Sequence, residues 1–193
     1  MPLTDDLKAE YIELFRTCKP SLNHISETNQ AISAIALNQD RYKGLGAKIG
    51  IPWPFIAVVH MMEAGQRFDR HIHNGDPLTA RTVRVPSGRP LMDDPPYTWE
   101  ESAHDALCIV KKLDRWGNWS LEGTLYQLEA YNGFGYRTRK TGIRSPYLWS
   151  FSNHYTAGKF VKDGIFDPGA ISKQIGAATL LRLMHDRMII QLG

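Results

Sequence analysis

The sequence predicts a mainly α-helical (α+β) domain: a buried central helix with other helices around it and a small β-hairpin lobe. Three observations carry this reading. Apolar residues recur at helical spacing behind capping residues over most of the chain. One run, PFIAVVHMMEAG, is apolar on nearly every face. Only across residues 66–97 does that period give way to alternation and prolines.

Thr4, followed by Asp5 and Asp6, is an N-cap with acids in the first turn. Leu7, Tyr11, Leu14 and Phe15 then repeat at helical spacing, so a helix over residues 4–18 ends before Pro20. Ser26 caps a second segment carrying Ala31, Ile32, Ile35 and Ala36, which ends by Gly44 and Gly46. Pro52 and Pro54 suit the first turn of the third helix, closed by Gly65. Thr82-Val83-Arg84-Val85 alternates before a Pro86-Ser87-Gly88 turn, which predicts a hairpin. Thr98 with Glu101 forms a capping box for a fourth helix. Ser120 starts a fifth, broken at Gly133 and Gly135; a loop rich in aromatic residues follows. A last helix is expected over residues 168–190, with Ile171, Ile175, Ala178 and Leu181 inward.

With 193 residues the chain suits one domain, residues 1–193, that buries most of its apolar surface. The net charge of +3 is spread among acids without a polybasic block, which does not imply nucleic acid and is compatible with an anionic wall polymer. Cys18 and Cys108 show no metal spacing and no disulfide framework, and are expected as buried thiols. The amino-terminal MPLTDDLKAEYIELF has acids where a secretory signal needs bases, and no run reaches membrane-spanning length. The expectation is synthesis in the cytoplasm without membrane insertion, any work on a cell wall requiring export or lysis.

On the central helix Ile56, Val59, His60 and Glu63 share one face, so one acid ends a run committed to the core. Apolar neighbours and the negative end of the helix dipole both favour its protonated form. A protonated carboxyl is what cleavage of a glycosidic bond needs, paired with a second carboxylate that stays ionised. Asp76, in a Gly-Asp-Pro turn expected to be exposed, is the candidate partner.

Glu63-Ala64-Gly65-Gln66-Arg67-Phe68, followed by the predicted hairpin, resembles the Glu-Ser-x-x-Phe pattern of the lysozyme-like superfamily, with Ala64 in place of Ser. Leu128-Glu129-Ala130-Tyr131-Asn132-Gly133-Phe134-Gly135 is similar to the Ala-Tyr-Asn-Ala-Gly motif of lytic transglycosylases in that superfamily, with Gly133 where Ala is usual. The resemblance covers roughly residues 51–137. It implies a lysozyme-like fold and a muramidase that cleaves the β-1,4 bond between N-acetylmuramic acid and N-acetylglucosamine of peptidoglycan glycan strands, without a cofactor. Glu63 is then the general acid, with Asp76 stabilising the transition state or positioning water. Substrate contacts fall to His60, His73, Thr79, Thr82, Tyr131, Asn132 and Tyr147. An immunity or inhibitor protein and an export machinery are the protein partners such an enzyme would meet.

Alternatives remain. A lytic transglycosylase would use Glu63 alone as acid and then base, and a chitosanase-like glycosidase would share the fold. A zinc hydrolase would draw on His60, Glu63, His71 and His73, although their spacing is not that of zincins. A non-catalytic wall-binding domain would keep the fold without turnover.

Overall fold

The structure, a computed structural model, describes residues 1–139, 141–162 and 164–192. Among the described residues it is mainly helical with a small two-stranded antiparallel sheet. Its contacts group into two compact units, Ser33–Gly117 and the pair of segments Met1–Ile32 and Asn118–Gly193.

In the unit from Met1–Ile32 and Asn118–Gly193, α1 spans Asp5–Thr17 and begins as expected, with Thr4 Oγ1 accepting from Leu7 N. Leu7, Tyr11, Leu14 and Phe15 are all buried. Helix α2 covers Ile25–Leu37 and crosses the boundary between the units in sequence. Helix α6, Leu121–Asn132, packs on α1 and buries Leu125 and Leu128. The expected aromatic loop contains two short helices, α7 (Gly135–Thr138) and α8 (Pro146–Trp149), then the sheet, with β1 at Lys159–Lys162 and β2 at Ile165–Asp167. Helix α9 runs only from Ala177 to Asp186. Ile175, Ala178 and Leu181 are buried, but Ile171 is 61% exposed, because the chain before Gly176 is irregular.

In the unit Ser33–Gly117 the second predicted helix divides. It breaks at Asn38, and α3 (Gln39–Ile49) runs on through Gly44 and Gly46. Gly46 is a packing requirement, since a Cβ there would lie 2.6 Å from the Ile51 carbonyl oxygen. The chain bends by 115° into α4, Trp53–Ala64, whose residues Phe55 to His60 are all buried. No single helix among the described residues is long and apolar enough to cross a membrane. Helix α5, Trp99–His104, opens on the predicted Thr98/Glu101 capping box and continues into a wider π-helical turn, Asp105–Val110.

Residues 79–90 are not a β-hairpin. Thr82 N donates to Arg89 O at 2.8 Å and Gly88 N to Thr82 O at 2.7 Å, so the expected turn is present without flanking strands. The alternation of Thr82-Val83-Arg84-Val85 arises from one buried threonine among exposed residues: Thr82 is 2% exposed, Val83 78% and Val85 89%. The sheet lies at 159–167 instead, where short strands pair through Lys159↔Asp167 and Phe160↔Phe166. Cys18 and Cys108 are free and buried, as expected.

Candidate functional site

Gly65 closes α4 in the left-handed conformation, φ 57°, with Gly65 N bonded to Met61 O and Gln66 N to His60 O. This arrangement ends the helix abruptly one turn beyond His60. Glu63 therefore sits in the last turn, half-buried between the buried Met62 and Ala64. The charge of Lys111 acts on its carboxylate, and conversely.

A compact loop backs onto this helix end. His71 N donates to Asp76 O at 2.7 Å and Gly75 N to His71 O at 2.8 Å, and Asp76 N is bonded to Asn74 Oδ1. Gly75, at φ 75°, comes so near that a Cβ there would lie 3.1 Å from the Glu63 carbonyl oxygen. Only glycine meets both demands at low cost.

Asp76 does not stand in an exposed turn. It is 4% exposed, and its carboxylate accepts from Val83 N at 2.9 Å, Arg84 N at 3.0 Å and Arg84 Nε at 2.6 Å. Burial alone would raise its pKa, but these donors, led by Arg84, bring it down to about 2. The acid is ionised, as expected, for a different reason: it ties residues 82–84 back to the turn. Thr82 has a similar task. Its hydroxyl donates to Pro86 O and accepts from Arg89 N, so it is not placed to hold a sugar. Thr79 is exposed.

His60 and His73 are interior residues, contrary to their expected part in substrate binding, and so is His71. His60 is fully buried; Nε2 lies 3.2 Å from Arg67 O and Nδ1 2.8 Å from Tyr42 Oη. A carbonyl can only accept, so Nε2 carries the hydrogen and Nδ1 accepts from the tyrosine. Trp99 and Phe68 pack on the ring at 4.8 and 4.7 Å. Burial pushes the His60 pKa down to about 4.

His73 is 7% exposed, its Nε2 2.8 Å from Asp105 Oδ2 and its Nδ1 3.3 Å from Ser102 Oγ. Burial lowers its pKa against the pull of Asp105. The same Ser102 hydroxyl lies 2.8 Å from His71 Nδ1, and His71 Nε2 donates to Ala80 O. Arg89 completes the chain with Nε and Nη2 on the Asp105 carboxylate. Ser102, His73 and Asp105 have the composition of a nucleophilic triad, but Ser102 is 0% exposed and no substrate reaches it. These contacts anchor the loop to α5. Both ring nitrogens of His60, His71 and His73 have protein partners, which opposes the zinc reading for those residues. Arg81, Arg84 and Arg89 likewise bind loop carbonyls or acids.

The other expected residues belong to the unit with α6. Tyr131 is half-buried near the helix end, Tyr147 is half-buried in α8, and Asn132 is exposed at the last position of α6. Asn132 lines a cleft of about 270 Å³ with Gly133, Tyr136, Arg139, Phe160 and Lys162.

Sequence reasoning passed over Glu129. It is 2% exposed; Oε2 accepts from Tyr11 Oη at 2.5 Å, and Arg137 Nε lies 2.9 Å from both oxygens. Arg137 also grips Glu10, and this group forms part of the wall of a cavity of about 490 Å³ with Arg144, Ser145 and His154. The signal for Glu129 was the one that singled out Glu63, an acid on the apolar face of a helix beside Leu125 and Leu128. Compared with protein-family models, curated proteins and solved structures, the chain matches none.

Proposed function

We propose that the protein is a peptidoglycan-cleaving glycosidase of lysozyme-like character, acting on the β-1,4 bond between N-acetylmuramic acid and N-acetylglucosamine. One observation carries the reading: Glu63 ends a buried apolar helix half-open to solvent, with a rigid loop fastened against the helix end. The wall polymer is met outside the cytoplasm, after export or lysis.

In this reading the Glu63 carboxyl gives its proton to the glycosidic oxygen as the C1–O bond breaks, and positive charge develops on the muramic acid ring. The resulting Glu63 carboxylate then takes a proton from the attacking group. If that group is water, the product is a reducing muramic acid; if it is the ring's own 6-hydroxyl, the product is a 1,6-anhydro sugar. Asp76 holds the loop through three donors, and this favours Glu63 as the one acid and base over the paired-carboxylate plan.

The test is mass spectrometry of fragments released from purified peptidoglycan, with Glu63→Gln alongside. Glutamine keeps the shape but cannot donate the proton, so turnover falls by about a thousandfold or more while polymer binding remains. An unchanged rate removes Glu63 from the mechanism. No fragments from the native protein selects the non-catalytic wall-binding alternative, and loss of activity on chelation revives the metal alternative.

A further inference from the structure

The cleft beside Asn132 differs in charge from the cavity that Glu10 and Glu129 help to line. No acid lines it among the described residues; Arg139 and Lys162 do, together with Asn132, Tyr136 and Phe160. Among the described residues neither Arg139 nor Lys162 has an acidic partner. Other arginines with a structural task are paired with carboxylates, such as Arg137 with Glu10 and Glu129, and Arg89 with Asp105.

Arg139 is nevertheless held in place. Its guanidinium carbon lies 5.2 Å from the centre of the Phe160 ring, and Nη1 donates to Gly164 O at 3.0 Å. Ring and carbonyl orient the group, and among the described residues Nη2 and Nε have no other partner, so little side-chain freedom is lost when a planar acceptor arrives. Lys162, at the end of β1, adds a second positive charge. Tyr136 Oη accepts from Phe160 N at 3.1 Å and keeps its own hydrogen to donate. The Asn132 amide offers both a donor and an acceptor at the rim.

We infer that this cleft binds a carboxylate, of the kind that the acidic peptide stems of a wall polymer carry. The stem assignment rests on the proposed function. A fixed guanidinium with a nearby ammonium matches the two oxygens of a carboxylate, and the aromatic walls suit the short apolar residues that carry it.

The test compares N-acetylmuramoyl-L-alanyl-D-isoglutamine, which carries one carboxylate, with its uncharged γ-amide. Both are titrated into the full-length protein and followed by calorimetry and by the amide resonances of Gly133, Gly135 and Gly164. The acid binds about tenfold more tightly than the amide at low salt, the preference shrinks as salt rises, and those resonances move. Arg139→Gln and Lys162→Gln, both at exposed positions, each reduce the preference and leave amide affinity unchanged. Thermal unfolding of both variants checks that the fold is kept. Equal binding of the two probes, no binding of either, or a preference that survives both substitutions overturns the inference. Glu63→Gln separates it from the catalytic reading, since it abolishes turnover and leaves the acid preference intact. A native protein that prefers the acid yet releases no fragments keeps the carboxylate site and loses the glycosidase.

Discussion

Glu63 and Glu129 occupy comparable places in sequence, each an acid near the C-terminal end of an apolar helix, and the structure treats them differently. Glu129 is 2% exposed and meets Tyr11 and Arg137, with Glu10 behind them. Glu63 is half-buried at a helix end, beside a loop whose own charges are satisfied elsewhere. An acid in an apolar helix is therefore two different things. Closed in by a tyrosine and an arginine it is part of the interior; left partly open at a helix end it stays within reach of solvent and, on the proposed function, of a substrate.

The sharpest way to break the comparison is to remove each charge. On the proposed function, Glu63→Gln lowers peptidoglycan turnover by about a thousandfold or more, with little change in melting temperature, measured by fragment release and calorimetry. Glu129→Ala does the reverse in kind. It leaves Arg137 with only Glu10 and strips Tyr11 of its acceptor, costing about 3 kcal/mol of stability in denaturant unfolding. A Glu129→Ala protein as stable as the native one would erase the distinction.

Asp76→Asn sharpens it further, because it tests whether the second acid supports the loop or the chemistry. Asparagine keeps one acceptor oxygen and loses the charge that faces Arg84, so stability falls by about 1–2 kcal/mol. Turnover declines with the loop's order, and the product, reducing or anhydro sugar, stays the same. A changed product would return Asp76 to the reaction.

Acid titration distinguishes the two kinds of buried group by their windows. His60, His73 and His154 all have folded-state pKa values lowered by burial. The unfolded chain then binds more protons, so stability falls as pH drops from near 6.5 to about 4, the folded value of His60. Asp76 also has a lowered value; its contribution is complete above the unfolded 3.8 and is lost as pH falls toward about 2. Denaturant midpoints measured at intervals from pH 7 to 2 should show both losses, and the lower one should be smaller in Asp76→Asn, the other paired carboxylates keeping their share. The smallest effect belongs to Thr79→Ala, an exposed position where stability should stay within about 0.5 kcal/mol. A change in KM there would mark it as a substrate contact.

Much of the fold was legible because its signals are local. The Thr4 cap, the Thr98/Glu101 box, the Gly65 stop and the apolar run of α4 each depend on residues within about one helical turn, and each is found where the sequence places it. The break at Asn38 and the late start of α9 at Ala177 were not legible, since periodicity cannot tell a continuous helix from two in series. The β1–β2 pair escaped notice because its strands are four and three residues long, too short for alternation to register.

The sequence by itself determined the buried apolar helix α4, the acid at its end and the turn at Pro86-Ser87-Gly88, because backbone geometry and capping chemistry act over a few residues. Only the tertiary structure decided what the polar residues around that acid do. His73 is claimed by Asp105, 32 positions away, and Arg89 by the same carboxylate from 16 positions away. Whether a histidine or an aspartate faces a substrate or a partner depends on which distant charge folding brings within about 3 Å, and spacing along the chain carries no record of that.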